Sequence, residues 1–143
     1  MTLMENITAV FKEKKLKLTP QRLAVYKYLM STKEHPSAEA IYKAIQTEYP
    51  TMSLATVYKT LDAFVQNGLV QQLNLGEDSY RYDADTSPHS HMQCTVCKSV
   101  EDIEQLQQVA PIKQEVQELT GYQLLSEQFY FYGICPECQK TAQ

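Results

Sequence analysis

Apolar residues in the first half of the chain recur at helical spacing in four short runs. Three of these runs follow a residue that can cap a helix, Thr19, Ser37 or Ser53, whose side-chain oxygen can accept from the first free N–H groups. The last run ends at Asn67 and Gly68, a common helix stop. The pattern predicts helices at 4–15, 20–31, 37–48 and 54–66.

Two short runs of strand-forming residues follow the fourth helix. Residues 69–75 and 79–83 flank a turn that begins at Gly76, which predicts a β-hairpin. Short helices followed by a two-stranded ribbon are typical of a winged helix-turn-helix. In that architecture the helix at 54–66 enters the DNA major groove. Its face away from the apolar stripe carries Ala55, Thr56, Lys59 and Ala63, with Tyr58 and Asp62 at the border of that face.

The pattern changes after residues 82–87. Short strands are predicted at 92–94, 99–103, 122–125 and 128–134, with a helix within 105–120 whose start is predicted at Pro111. The aromatic run at 129–132 is too apolar for so small a domain to cover, which predicts a partner subunit. We therefore expect an α+β protein. Its predicted domains are a winged-helix DNA-binding domain (1–82) and a small α/β metal-binding and dimerisation domain (83–143).

Charge is distributed unevenly along the 143 residues, whose formal net charge is −4. Residues 1–33 hold seven Lys or Arg against two Asp or Glu, whereas residues 81–143 hold four against nine. A basic front favours an anionic partner and an acidic back favours cations, although a chance distribution of solvated charges gives the same counts. The chain has neither a signal-peptide pattern nor an apolar run of ~20 residues, so we expect a cytoplasmic protein.

Four cysteines form two Cys-x-x-Cys pairs, Cys94 with Cys97 and Cys135 with Cys138. Each pair places two sulfurs on one side of a tight turn, and two such turns complete the thiolate tetrahedron that structural zinc prefers. Because all four ligands come from protein, no position remains for a substrate. A redox or disulfide role and inert core cysteines are the alternatives.

A second cluster offers nitrogen and oxygen donors. His89 and His91, two residues apart on an extended segment, point to one face, with Asp83 and Asp85 just upstream. Asp102, flanked by Glu101 and Glu104, follows the first cysteine turn. The alternative is polar surface residues beside a zinc knuckle. Donors of this kind, without sulfur, suit Fe(II) or Mn(II). His35, distant in sequence, is by itself an ordinary loop residue before a proline.

These residues together resemble the ferric uptake regulator (Fur) family of bacterial metal- and peroxide-responsive repressors. The resemblance covers nearly the whole chain, and the segments that carry it are Leu18-Thr19-Pro20-Gln21-Arg22, His35-Pro36, Ser53-Leu54-Ala55-Thr56-Val57-Tyr58-Lys59-Thr60-Leu61, His89-Ser90-His91 and the two cysteine pairs. Among family members the chain is most similar to the PerR-type peroxide sensors.

The resemblance implies a regulatory Fe(II) or Mn(II) site in each subunit beside the structural zinc. Its ligands are implied to be His35, Asp83, His89, His91 and Asp102. Peroxide is implied to oxidise His35 or His89 when Fe(II) is bound, which releases the operator. Tyr58-Lys59-Thr60 is more similar to iron- and zinc-sensing members, so an iron- or manganese-responsive repressor without peroxide sensing is the alternative.

The resemblance further implies a homodimer on a pseudo-palindromic DNA operator, and not an enzyme. The DNA-contacting residues it indicates are Lys15, Lys17, Arg22, Ser53, Ala55, Thr56, Tyr58 and Lys59. Two other classes compete with it. A zinc hydrolase or deaminase needs an open zinc site with a neighbouring Glu, and a protein-binding zinc module would use the aromatic strand as its interface.

Overall fold

The computed structural model describes residues 2–87, 89–104 and 106–141, which form two compact units, Met1–Ser87 and Pro88–Gln143. The domain boundary at 82/83 stays a prediction. In the described residues, none of the helices combines the length and the apolar character that crossing a bilayer requires.

The first unit contains four helices and a hairpin. They are α1 (Leu3–Glu13), α2 (Pro20–Ser31), α3 (Ala38–Ile45), α4 (Leu54–Gln66), β1 (Gln71–Leu73) and β2 (Arg81–Asp83). The hydroxyls of Thr19, Ser37 and Ser53 each accept a backbone N–H three residues ahead, so the predicted caps are confirmed. The two strands pair antiparallel, which completes the predicted wing.

Three aromatic rings fix how the helices of this unit pack. Phe11 of α1, Tyr26 of α2 and Phe64 of α4 meet edge to face, with ring centroids 5.3 to 5.7 Å apart. Edge-to-face contacts align the positive edge of one ring with the negative face of the next. Since all three rings are buried, the triad seats α4 against the first two helices.

The second unit is a three-stranded sheet with two helices. Its elements are β3 (Ser90–Cys94), β4 (Val100–Ile103), α5 (Val109–Thr120), β5 (Tyr130–Gly133) and α6 (Pro136–Thr141). The central strand β3 pairs antiparallel with β4, where His91 lies opposite Asp102. It pairs in parallel with β5, where Cys94 lies opposite Gly133.

Two predictions in this unit are wrong in detail, and one helix was not predicted. Helix α5 begins at Val109, so Pro111 lies inside its first turn, where an N–H has no helical partner and proline is tolerated. Gln105, the first residue of the run in which the helix was predicted, lies outside the described residues. No strand forms at 122–125, since the chain turns at Gly121 (φ +74°) and Leu124 N–H donates to Gln117 of α5. Helix α6 was not predicted.

Apolar burial is very unequal between the units. Among the described residues, the second unit contributes only Cys94 and Val100 to the buried apolar side chains, and all the others lie in the first unit. No residue of α5 is buried, and Ile112, Val116 and Leu119 are exposed along it. The described residues of the second unit therefore bury too few apolar side chains to form a hydrophobic core in proportion to the size of the unit.

Candidate metal centres and nucleic-acid interface

The cysteine site is assembled by the sheet of the second unit. Cys94 ends β3 and Cys135 follows β5, so the parallel pairing of these strands brings the two Cys-x-x-Cys turns side by side. The four Sγ atoms lie within 4.8 Å of one another, and none is in a disulfide. Four converging thiols with this spacing match the ligand set of structural zinc.

Backbone amides prepare this site for thiolates. The N–H groups of Cys135, Cys97 and Val96 donate to Cys94 Sγ at 3.4, 3.5 and 3.4 Å, which lowers the pKa of Cys94 to about 6. The pKa of Cys138 is raised, chiefly because its thiol is hydrogen bonded to Cys135 Sγ. Four negative sulfurs this close repel one another, so a bound cation is what would hold all four ionised.

The second unit also brings together two imidazoles and a carboxylate. His89 Nε2 and His91 Nε2 lie 3.2 and 3.4 Å from the same oxygen of Asp102, and the two rings lie 4.5 Å apart. The register of β3 and β4 explains this arrangement, because directly opposed residues of an antiparallel pair share a face. Glu101, by contrast, is exposed. Two His and one carboxylate are the donor set that proteins use for non-haem Fe(II).

The first unit brings together His35 and Asp83. His35 Nε2 lies 3.0 Å from Asp83 Oδ2, and both side chains are nearly excluded from solvent. The Tyr82 N–H donates to the Pro36 carbonyl at 3.0 Å, which ties the loop after α2 to strand β2. His35 adopts a left-handed backbone (φ +55°), which is uncommon for residues other than glycine and is often found at functional sites.

Both groups contain only imidazole nitrogen and carboxylate oxygen, which is the donor chemistry that Fe(II) and Mn(II) accept. Three donors from one unit or two from the other leave a divalent cation under-coordinated. The Asp85 carboxylate accepts the Ser87 N–H at 2.9 Å and so stabilises its own loop.

The face of α4 carries most of the residues predicted to contact DNA. Ser53 Oγ caps the helix by accepting the Thr56 N–H at 3.1 Å, and it also lies 2.9 Å from the Thr56 hydroxyl. Ala55, Tyr58 and Lys59 are exposed on the helix. The face is therefore accessible and its N-terminal end is fixed by a cap.

The predicted basic contacts lie between α1 and α2. Lys15 and Lys17 are exposed, and Lys15 has a left-handed backbone (φ +57°). Arg22 is half-buried, and its guanidinium donates to the Lys17 carbonyl at 2.7 Å. Arg22 therefore fixes the turn that carries Lys17, in addition to presenting a positive charge.

One residue that contacts the exposed face of α4 was not predicted from the sequence. Glu39 of α3 accepts a hydrogen bond from the Tyr58 hydroxyl of α4, so the two helices are joined by residues that are 19 positions apart in sequence. Its place in the first turn of α3 has an ordinary explanation, because carboxylates favour helix N-termini. The sequence holds no other signal that would have revealed the contact.

Comparison with known proteins agrees with these features. The sequence profile of the Ferric uptake regulator family matches residues 13–132. The chain is 55% identical over 139 residues to the transcriptional regulator PerR of Clostridium acetobutylicum, covering 97% of this chain and 100% of that protein. It is 35% identical to the peroxide-responsive repressor PerR of Staphylococcus aureus, covering 95% and 91%.

A solved structure extends the likeness to the fold. The crystal structure of the Campylobacter jejuni peroxide stress regulator is 30% identical, covers 96% of this chain and 100% of that one, and superposes with a TM-score of 0.72. The match of the family profile to most of the chain and the near end-to-end relatives lead to one conclusion: the chain belongs to the ferric uptake regulator family.

Proposed function

We propose that this protein is a metal-dependent, DNA-binding transcriptional repressor that responds to peroxide and acts in the cytoplasm as a homodimer. The observation that carries the proposal is the convergence of His89, His91 and Asp102 in the second unit, two imidazoles and a carboxylate that share one face of the sheet. Relatives named as peroxide-responsive repressors support the same conclusion.

In the proposed site, His35 and Asp83 supply the fourth and fifth donors to the same cation. A cation held by side chains of both units fixes how the units are oriented. The free energy available for switching is the difference between the cation's affinities for the DNA-competent form and for the released form. Typical coupling free energies of ~1–3 kcal/mol correspond to roughly 5- to 150-fold in DNA affinity.

Oxidation of a ligand imidazole is the proposed release step. An Fe(II) ion held by these residues would activate hydrogen peroxide for O–O cleavage, chemistry that Mn(II) supports poorly. His35 or His89 gains one oxygen atom at the ring carbon between its nitrogens and supplies the two electrons that reduce the peroxide. The second peroxide oxygen leaves as water, and no net electron comes from the metal. The 2-oxo ring no longer offers an imidazole lone pair, so one ligand is lost and the orientation of the units is released.

The exposed apolar side chains of the second unit support the proposed dimerisation. Ile112, Val116 and Leu119 recur along α5, and Phe131 and Tyr132 lie on β5, all of them exposed. Exposed apolar side chains of this number favour burial against another protein surface. In a two-fold symmetric dimer, the same apolar surface of a second copy of the chain buries them.

Operator recognition is assigned to α4. In a two-fold symmetric dimer, two α4 helices enter successive major grooves of a pseudo-palindromic site. Ser53, Ala55, Thr56, Tyr58 and Lys59 face the bases and phosphates. The basic residues Lys15, Lys17 and Arg22 contact or support contacts to the backbone, so affinity falls steeply as salt rises.

The test compares Fe(II)-loaded and Mn(II)-loaded protein before and after hydrogen peroxide. A duplex selected by the Mn(II)-loaded protein from a random pool is followed by fluorescence anisotropy, and peptides are analysed by mass spectrometry. We expect peroxide to release the duplex only from the Fe(II) form and to add 16 Da to a peptide containing His35 or His89. The Mn(II) form is the matched control.

Two results would decide against this mechanism. Oxidation confined to the cysteine pairs, with unmodified histidines, would reject the ligand-oxidation step. Unmodified histidines together with DNA binding that persists after peroxide would favour an iron- or manganese-responsive repressor. That alternative draws support from Tyr58-Lys59-Thr60, which is more similar to iron- and zinc-sensing members.

A further inference from the structure

The contact between Glu39 and Tyr58 has no role in the function proposed above. Tyr58 lies on the exposed face of α4, with 37% of its surface accessible, and its hydroxyl donates to Glu39 Oε1 of α3. A hydrogen bond to a carboxylate is roughly twice as strong as one between neutral groups. The Tyr58 side chain is thus held at both ends, by the helix backbone and by Glu39.

Glu39 is not placed there by the stability of α3 alone. Its second oxygen, Oε2, is buried and has no hydrogen-bond partner among the residues that the structure describes. The hydrogen bond from the Tyr58 hydroxyl is also the largest cause that lowers the pKa of the Glu39 carboxyl. The principal partner of the Glu39 side chain is thus an exposed tyrosine on the proposed DNA-binding helix, which indicates a positioning role.

We infer that Glu39 is a positioning residue that fixes the Tyr58 ring so that its carbon edge, and not its hydroxyl, contacts a thymine methyl group of the operator. The inference rests on the proposed function. With the hydroxyl engaged by Glu39, the exposed part of Tyr58 is its aromatic ring. In the major groove, the C5 methyl is the apolar feature that distinguishes thymine from every other base.

Thymine-to-uracil replacement isolates this contact, since it removes one methyl group and leaves every hydrogen-bonding atom of the base unchanged. Burying one methyl group is worth ~0.8 kcal/mol, which corresponds to about a fourfold change in affinity per half-site. The duplex selected by the Mn(II)-loaded protein is therefore made with each thymine replaced in turn, and affinities are measured by fluorescence anisotropy for the full-length Mn(II)-loaded chain.

We expect wild-type protein to lose about fourfold in affinity at one thymine of each half-site. Glu39→Ala should bind the unmodified duplex more weakly and should no longer distinguish thymine from uracil there. Glu39→Gln keeps an oxygen acceptor for the hydroxyl and should restore both the affinity and the discrimination. Asp62→Asn, which removes an exposed carboxylate one turn further along α4, is the control for loss of charge near DNA.

A double-mutant cycle provides a second measurement. If the bond acts through Tyr58, Glu39→Ala and Tyr58→Phe each disturb the same ring. The double variant should then bind no more weakly than the weaker single variant. Circular dichroism verifies that each variant is folded. If Glu39→Ala unfolds α3, the single variants Glu39→Gln and Tyr58→Phe still test the inference.

The outcomes separate the inference from the proposed function. Two results would overturn the inference and leave the repressor function standing, provided that wild-type protein selects a duplex. In the first, Glu39→Ala discriminates thymine from uracil as wild type does. In the second, the losses of DNA affinity caused by Glu39→Ala and Tyr58→Phe multiply in the double variant. If Mn(II)-loaded wild-type protein selects no duplex, the proposed function fails, and the inference fails with it.

Discussion

Removal of zinc should unfold the second unit and leave the first unit folded. Among the described residues, Cys94 and Val100 are the only buried apolar side chains of the second unit, and Cys94 is itself one of the four thiol ligands. Helix α5 buries no residue at all. Apolar burial therefore cannot replace the metal in holding β3, β5 and α6 together.

The size of the effect follows from the ligand set. Structural zinc contributes ~10–16 kcal/mol to folding in small zinc-dependent peptides, whereas a whole domain is stable by ~5–15 kcal/mol. Loss of zinc thus removes a stabilising free energy as large as the net folding stability of a whole domain. The first unit keeps its aromatic triad and its helix caps, none of which involves the cysteines.

Hydrogen exchange followed by mass spectrometry measures the two units separately. Zinc is removed with a chelator under reducing conditions, or by Cys138→Ser, and the Cys97→Ser variant is examined in parallel. We expect amides of β3, α5 and β5 to lose protection and the chain to become monomeric, while amides of α2 and α4 stay protected. Protection of α5 and β5 that survives complete zinc removal would refute this reasoning.

Three further predictions concern the first unit and are measured by urea unfolding of zinc-loaded protein. Ser53→Ala should lower the free energy of unfolding by ~1 kcal/mol through loss of the α4 cap, and Ser53→Asp should restore it. Phe64→Leu should cost ~1–3 kcal/mol, because Phe64 makes edge-to-face contacts with both Phe11 and Tyr26. Burial, assisted by the nearby Asp62 carboxylate, raises the pKa of Tyr82 to about 12. Since the neutral phenol is the form favoured by folding, its contribution is complete below about pH 10 and is lost as the pH rises towards 12, and Tyr82→Phe should flatten this alkaline decline.

The first unit was predictable because local signals and tertiary packing agree there. The cap at Ser53 and the stop at Asn67 and Gly68 define α4, whose observed bounds, Leu54–Gln66, match the predicted 54–66. The buried residues Val57 and Leu61 belong to the predicted apolar stripe. The hairpin followed from its turn and its strand-forming residues in the same way.

The second unit was harder to predict, since its apolar residues are not arranged around a core of its own. The run at 122–125 has strand-forming residues, yet Gly121 turns the chain and Gln117 binds the Leu124 N–H, so no strand forms. Helix α6 carries Cys138 and has only six residues, too few to show helical periodicity in the sequence. The 122–125 outcome depends on a glycine turn and a side-chain hydrogen bond, and neither is visible in the alternation of apolar and polar residues.

Some ligands of the candidate metal sites were predictable from local sequence, and others were not. The cysteine pairs were evident from spacing alone, and His89 and His91 from their alternation. The selection of Asp102 over its acidic neighbours depends on the β3–β4 register. Nothing local distinguishes His35, whose pairing with Asp83 follows from the hydrogen bond that joins its loop to β2.

In the proposed mechanism, one cation is bound by side chains of both units. The direct measurement is Mn(II) affinity, from the electron paramagnetic resonance signal of free Mn(II), for wild type, His35→Ala, His91→Ala and the control Glu101→Gln. We predict that both histidine variants lose at least about tenfold in affinity and that the control is unchanged. Full Mn(II) affinity in His35→Ala, with His91→Ala impaired, would contradict the account.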